Sequence, residues 1–349
     1  DVFKSKLSVA FDAYIRNTTD MLVPGQVLPA VYGASVPTQN AGDLQTKGFE
    51  LSIAWRDQFK LAGKPFSYNT TFLISDSKSK ITKYDNPNQI LSSYYVGQTI
   101  GEMWGYSLDG YFKTDEEARA YTVDQSIVNK QRLAAAGEWS KLYAGDIKFI
   151  DVNGDGKISQ GANTLKDHGD LKIVGNSRAR YRYGLNLGAS WNNFDFSSLI
   201  QGIMRKNWYP GANADKFWGP YSRPYYLFIA SDFEEDIWTP ENPNAYFPIL
   251  RGYTALNGGG DLNAVNDKYI QNVGYLRLKN LVVGYTIPEA ISKRIHIARA
   301  RIYVSGENLL TVTPLRSRYI DPEQFDGDGT NGRTYPLSKT YSMGLSLTF

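Results

Sequence analysis

The last eleven residues of the chain, Lys339–Phe349, alternate apolar and small polar side chains without a break and end on an aromatic residue. Successive side chains of a strand point to opposite faces, so one face of this segment holds Tyr341, Met343, Leu345, Leu347 and Phe349. One face then suits lipid and the other suits water, over about the 9 to 11 residues that a tilted strand needs to cross a bilayer. The closing strand of a soluble β-sandwich alternates in the same way, so this segment alone leaves both interpretations open.

The same alternation recurs upstream, and in all it predicts eight long strands. They cover 7–16, 49–56, 68–75, 181–191, 194–205, 275–287, 298–310 and 339–349. The alternation slips near Lys279-Asn280, which predicts a β-bulge there. Only Asn192-Asn193 separates two of the strands, and Asn tolerates the positive φ that a two-residue hairpin turn demands.

The connections between these strands alternate sharply in length. The links at 57–64, 192–193 and 288–297 are short, whereas those at 17–43, 77–177, 207–273 and 312–337 are long. Between antiparallel strands this alternation puts all short links at one end of the sheet. Outer-membrane barrels have short periplasmic turns and long external loops, whereas a soluble sandwich has no reason to sort its loops. We therefore predict an all-β fold, an antiparallel transmembrane β-barrel with long extracellular loops and a periplasmic C-terminus.

The composition agrees with a β-rich protein and excludes several other classes. There are 25 Tyr, 16 Phe, 7 Trp and 32 Gly among 349 residues. The net charge of +3, with Lys and Arg interleaved among Asp and Glu, does not indicate nucleic-acid binding. The absence of Cys excludes disulfides, thiolate metal sites and a cysteine nucleophile. No segment is apolar enough for a membrane-spanning helix, so a barrel is the spanning structure left.

The segment 151–159 follows the pattern of a Ca²⁺-binding loop. Its candidate ligands are Asp151, Asn153, Asp155, the backbone carbonyl of Lys157, and Ser159, with Gly156 at the sharp turn. Position 12, where a bidentate carboxylate belongs, is Ala162. A turn of Asn, Asp and Gly that is ordered by its own side-chain to backbone hydrogen bonds fits the pattern equally well. No cofactor is required by the sequence, and Ca²⁺ is the one candidate.

The long link 207–273 is rich in aromatic residues among Gly, Pro and Asn. Such residues stack on sugars or anchor a protein partner, but they also pack a loop against itself. The candidate ligand or partner residues are Trp208, Tyr209, Trp218, Tyr221, Tyr225, Tyr226 and Trp238.

Catalysis is poorly supported by the sequence. The two histidines, His168 and His296, stand in no nucleophile or metal-ligand pattern. Paired carboxylates occur at 232–236, as a glycosidase requires, but a solvated loop explains them as well. We therefore predict that the protein is not an enzyme. The alternative is a secreted soluble β-rich protein that binds or hydrolyses glycans.

Four motifs follow one another along the chain: LQTKGFEL at 44–51, GDIKFIDVNGDGKI at 145–158, YLRLKNLVVGYTIP at 275–288 and VSGENLLT at 304–311. Together they resemble the SusC/RagA-like TonB-dependent outer-membrane transporters of Bacteroidetes. Members of that family are much longer, with a signal peptide, a plug domain, a TonB box and a barrel of about 22 strands. The resemblance implies that residues 1–349 form the C-terminal portion of such a barrel, with the plug and TonB box outside this chain.

The resemblance also implies a function and a set of partners. It implies import of oligosaccharides or peptides across the outer membrane, energised by TonB, under a SusD-like surface lipoprotein. The partners would be that lipoprotein, the TonB complex acting through the plug, the remaining barrel segment and outer-membrane lipid. Phe349, with Tyr341, resembles the C-terminal signal that the outer-membrane assembly machinery recognises.

Overall fold

The computed structural model describes residues 3–24, 33, 37–130, 141–222, 228–325 and 332–349. Within these ranges the dominant element is the antiparallel β-strand. The strands are β1 (Leu7–Pro24), β2 (Thr38–Leu61), β3 (Lys64–Lys83), β4 (Glu102–Gly105), β5 (Leu108–Tyr111), β6 (Ile147–Phe149), β7 (Lys172–Asn176), β8 (Arg180–Trp191), β9 (Phe194–Arg205), β10 (Asn207–Trp208), β11 (Gln271–Asn272), β12 (Tyr275–Thr286), β13 (Arg299–Val312) and β14 (Thr340–Thr348).

Eight of these strands form one large sheet in the order β1-β2-β3-β8-β9-β12-β13-β14. Each strand pairs antiparallel with the next long strand of the chain, so the sheet is a simple meander. The eight predicted strands and their antiparallel arrangement are confirmed. The sheet is open, with β1 and β14 at its two edges.

The remaining elements are short and lie in the connections between the strands of the large sheet. Three two-stranded sheets pair β4 with β7, β5 with β6, and β10 with β11. The described helices are Asp115–Ala120, Asp215–Trp218 and Glu289–Ser292, with 3₁₀ turns at Gly219–Tyr221, Phe233–Asp236, Tyr253–Leu256, Lys293–Ile295 and Pro322–Gln324. None of the helices in the described part of the chain is long and apolar enough to cross a membrane.

The strand register aligns the apolar side chains of all eight strands on one face. One row of directly opposed residues consists of Val9, Ile53, Phe72, Leu185, Ile200, Leu278 and Leu310. A second row consists of Tyr68, Ala189, Phe196, Val283, Val304 and Met343. Many of these side chains are exposed, with Met343 at 80% of its full accessibility. The large sheet therefore presents an uncovered apolar face.

Two local predictions about the sheet are confirmed. The register shifts between Leu278 and Asn280 against both neighbouring strands, which is the bulge expected from the slip in alternation. Asn192 and Asn193 have φ of 47° and 73° and join β8 to β9 in a two-residue turn. Positive φ at both central residues matches the turn to the right-handed twist of the two strands.

The strands run further than the alternation predicted at the end that carries the long connections. Asn17–Pro24, Thr38–Asp43 and residues 77–83 lie in strands rather than in loops. Polar residues stand on both faces there, and most of them are exposed. Apolar and polar residues therefore do not alternate in these segments, and the sequence pattern does not predict them as strands although the strand hydrogen bonds continue. The remainder of the predicted loop 17–43 falls largely outside the described residues.

The hydrophobic core lies outside the large sheet. Its described members come from the connections between β3 and β8, between β9 and β12, and between β13 and β14. Fully buried side chains include Phe112, Trp218, Tyr221, Leu262 and Tyr269. The eight long strands contribute none of the clustered core residues among those the structure describes.

The β8–β9 turn should tolerate only residues that adopt positive φ. Asn193→Val should lower the free energy of unfolding by about 1–2 kcal/mol, because a β-branched residue is strained in the left-handed region. Asn193→Gly is the matched control and should retain full stability. Equilibrium unfolding in urea measures the difference, and equal stability of the two variants would contradict the turn geometry.

Candidate functional site: the loop domain

Three long connections pack together into one body, which we call the loop domain: the described parts of residues 84–177, 206–274 and 313–339. Backbone hydrogen bonds join the first two segments, from Tyr106 N to the Val265 carbonyl (2.8 Å) and from Ile249 N to the Gly145 carbonyl (2.9 Å). The third segment is tied in by the Ser317 hydroxyl, which donates to the Lys216 carbonyl (2.6 Å). These loops therefore form a folded unit rather than separate excursions.

The aromatic residues predicted for ligand or partner contact mostly pack inside this domain. Trp208, Trp218, Tyr221 and Trp238 are buried, and Tyr209 packs against the same core. Tyr225 and Tyr226 lie outside the described residues. The packing alternative therefore accounts for the five described side chains. A binding role for the loop and for these residues stays a prediction.

Hydrogen bonds hold the polar atoms of Trp218 and Tyr221. Trp218 Nε1 donates to the Pro210 carbonyl (3.0 Å), and the Tyr221 hydroxyl donates to the Pro248 carbonyl (2.5 Å). Burial raises the pKa of Tyr209 well above its usual value, so this hydroxyl stays neutral. The rings of Trp218 and Tyr221 are thus fixed at both their apolar and polar ends.

A tyrosine network at the junction of the three segments was missed by the sequence reasoning. The hydroxyls of Tyr111 and Tyr269 are 2.8 Å apart, and Tyr111 also donates to the Tyr246 carbonyl. Two cations lie over these rings: Lys268 Nζ is 3.8 Å from the centroid of Tyr111, and the Arg316 guanidinium is 3.9 Å from that of Tyr246. No local spacing signals this grouping, because its members come from three separate connections.

The segment 151–159 is ordered by its own side chains. Asp151 accepts backbone hydrogen bonds from Gly154 (2.7 Å) and Gly156 (2.8 Å). Asp155 accepts from the Asn153 side-chain amide (3.2 Å) and from Lys157 N (3.1 Å). These are the bonds that the self-ordered turn requires, and they use acceptor oxygens that a cation would also need.

Asp170, which lies outside the motif, closes the same segment. It is fully buried, and its two carboxylate oxygens accept hydrogen bonds from Val152 N and Ser159 N, each at 2.7 Å. A carboxylate that lies later in the same chain thus anchors both ends of the loop, although position 12 is Ala162. Across the described residues, no group of three or more His, Cys, Asp or Glu side chains is arranged to hold a metal ion.

Several of the side chains considered for catalysis make ion-pair or packing contacts. Asp232 pairs with Arg318 (3.0 Å), and Asp236 pairs with Arg316. The His168 ring packs beside Trp104, with 5.5 Å between ring centroids. His296 adopts a left-handed conformation in the link between β12 and β13. Asp232 and Asp236 therefore take part in ion pairs, and His168 takes part in ring packing.

The connection between β13 and β14 is fastened to the polar face of the large sheet. Arg277 on β12 is 2% exposed and pairs with Asp321 (2.7 Å) and Glu323 (2.5 Å). Glu323 also pairs with Lys279 (3.1 Å) and accepts from the Gln201 amide (3.2 Å). Burial raises the pKa of Asp321, but hydrogen bonds from Glu323 N, Leu337 N and Arg277 outweigh it, and the net pKa is lowered. Asp321 therefore stays ionised at neutral pH.

The C-terminal aromatics lie at the edge of the large sheet. Tyr341 is on β14, directly opposite Gly306, and is 75% exposed. Phe349 follows the strand and is 88% exposed. Both side chains are therefore accessible, as recognition by another protein would require.

Comparisons with known proteins agree with this arrangement. The chain is 26% identical over its whole length to TonB-dependent receptor P3 of Formosa agariphila, and covers 33% of that protein. It is 23% identical over 99% of its length to TonB-dependent receptor SusC of Bacteroides thetaiotaomicron, and covers 30% of it. The chain thus spans about a third of the length of the curated relatives it matches. No family model matches the chain.

Solved structures show the same fold. A structure of the RagAB peptide transporter matches 99% of the chain with a TM-score of 0.62 at 22% identity, and the chain covers 34% of that protein. The RagAB peptide importer in its open-open state matches with a TM-score of 0.64 at 20% identity, with 99% of the chain and 33% of the importer covered.

The open antiparallel sheet is part of the wall of a β-barrel. Its exposed apolar face and its alternating long and short connections agree with this fold. The matches confirm the resemblance seen in the four motifs: the chain is homologous to the C-terminal part of TonB-dependent receptors of the SusC/RagA type. TonB-dependent receptors are outer-membrane proteins, and the relatives are receptors and transporters rather than enzymes.

Proposed function

We propose that this chain forms part of the barrel wall of an outer-membrane importer. The importer would take up oligosaccharides or peptides, be energised by TonB through a plug, and work with a SusD-like surface lipoprotein. The observation that supports this most is the position of the core. The sheet leaves its apolar face uncovered, while the buried aromatic residues lie in the loop domain at one end. A lipid-facing barrel with a folded external mouth has this distribution.

The open edges of the sheet give the proposal a second support. β1 and β14 each pair on one side only among the described strands, and both carry exposed apolar side chains such as Phe11 and Leu345. Unpaired strand edges are not tolerated in lipid, because their backbone groups would lack hydrogen-bond partners. We propose that the remaining barrel segment pairs with these edges, that the loop domain lies outside the cell, and that Phe349 lies on the periplasmic side.

A charge on the apolar face should block membrane assembly. Leu187 lies on the apolar face of β8, opposite Thr70 and Ser198 of the neighbouring strands. Leu187→Lys puts an ammonium group on that face and should destabilise the inserted barrel by about 2–4 kcal/mol. Asn186→Lys is the matched control, because it adds the same charge on the polar face one residue away. Outer-membrane fractionation and heat-modifiable gel migration of the intact receptor measure the effect. Equal assembly of both variants, or soluble secretion without detergent, would contradict the lipid-facing assignment.

The partner lipoprotein should contact exposed apolar residues of the loop domain. Deletion of residues 207–273 is a poor test, because that segment supplies much of the core. Leu250 and Tyr253 are 44% and 45% exposed on the same segment. Leu250→Glu together with Tyr253→Glu should weaken pull-down of the lipoprotein by about tenfold or more, because interface aromatics dominate binding. Val152→Glu, an exposed residue on another segment, is the control, and unchanged pull-down by the paired variant would remove these residues from the interface.

We propose that the segment 151–159 needs no metal to hold its shape and that it binds Ca²⁺ weakly, with a dissociation constant of about 10⁻⁴–10⁻³ M. The side-chain to backbone bonds of Asp151 and Asp155 support the first part. Chelation should leave the melting temperature of the receptor unchanged, and calorimetric titration should show weak Ca²⁺ binding that Asp155→Ala removes. A loss of stability on chelation would show that the ion is structural instead.

A further inference from the structure

Lys268 is a half-buried amine that has no ion-pair partner among the described residues. Its Nζ lies 3.8 Å from the centroid of Tyr111 and 5.9 Å from that of Tyr269, which is fully buried. Among the described residues, no carboxylate forms an ion pair with this amine. The neighbouring Asp267 is directed instead to Lys172, at 3.0 Å. The rings of Tyr111 and Tyr269 are therefore the main compensation for the buried charge.

A second cation stands beside the first. The Arg316 guanidinium lies over the ring of Tyr246, whose hydroxyl donates to the backbone carbonyl of Lys268 (3.4 Å). Burial, with repulsion from Arg316 as the second cause, lowers the pKa of Lys268 to about 8. The amine is therefore still mostly protonated at neutral pH. Asp236 pairs with Arg316, and among the described residues no ion pair links it to Lys268.

This arrangement costs stability as it stands. A partly desolvated charge without a counter-charge is destabilising, and cation–π contact offsets only part of that cost. A cation whose pKa is shifted by burial together with a charged neighbour is a candidate for a ligand site. The two cations also stand where the three segments of the loop domain meet, since Tyr111, Lys268 and Arg316 come one from each. Connections held on a rigid scaffold are where binding residues concentrate.

We propose that Lys268 and Arg316 bind a carboxylate group of the imported ligand. This inference rests on the proposed import function and narrows the substrate to molecules with a free carboxylate. The C-terminus of a peptide and the uronate of an acidic oligosaccharide both supply that group. The carboxylate would take the position beside Lys268 that no described protein anion occupies, and the guanidinium of Arg316 offers further N–H donors to it.

The test uses the intact receptor in detergent and four probes: trialanine, its C-terminal amide, trigalacturonate and its methyl ester. Amine acetylation of Lys268 is followed by mass spectrometry at a pH near the pKa of this amine. Trialanine or trigalacturonate should slow acetylation by about threefold or more, whereas the amide and the ester should not. Which acid protects Lys268 distinguishes a peptide from an acidic glycan.

Variants of Lys268 distinguish a role in ligand binding from a role in the stability of the protein. Lys268→Met should weaken binding of the protecting acid by about tenfold or more, and Lys268→Arg should restore part of it. Lys172→Met, which removes an exposed lysine paired with Asp267, is the control and should bind normally. The proposal is overturned if no probe changes the acetylation rate, or if acid and neutral forms protect equally. Membrane assembly and lipoprotein pull-down of Lys268→Met are measured in parallel, and normal values there would leave the import function standing.

Discussion

The structure depends on one constraint: the cross-strand register that puts the apolar side chains of eight strands on a single face. The hydrogen-bond ladder fixes which residues oppose one another, and rows such as the one from Val9 to Leu310 are apolar throughout. A one-residue slip at any strand would turn its apolar side chains to the polar face. Because nothing in the described chain covers the apolar face, a compact core had to form elsewhere. The long connections supply it, and this is why they fold into a domain of their own.

Alternation predicted the strands of the sheet where one face is apolar and the other polar. The bulge near Lys279 and the Asn192-Asn193 turn were predictable for the same reason, since each follows from a local rule about backbone geometry. The outer ends of β1, β2 and β3 were not predictable in this way. Residues such as Asn17 and Thr38 continue the ladder with polar side chains on both faces, and no alternation of polarity distinguishes such a strand from a loop.

The loop domain was only partly accessible from the sequence. The aromatic content of residues 207–273 indicated that these rings either bind a ligand or partner or pack against one another. It did not distinguish the two. Burial of Trp218 and Tyr221 is decided by residues distant in the chain, such as Phe247 and Tyr269. In the same way Asp170 completes the segment 151–159 from outside its motif. The isolation of Lys268 is a property of three segments together, so no spacing within one of them encodes it.

The separation of the core from the sheet has a consequence for how this chain can change in evolution. The apolar face of the sheet is proposed to contact lipid chains, which adapt to the shape of the protein surface. Exchanges among Val, Ile, Leu and Phe should therefore cost little stability there, as long as the residue stays apolar. The aromatic rings around Phe247 pack closely against fixed neighbours, so a change of side-chain volume there disturbs the packing and lowers stability. Related chains should therefore diverge freely at positions such as Val304 and Met343 while retaining residue volume at Trp218 and Phe247.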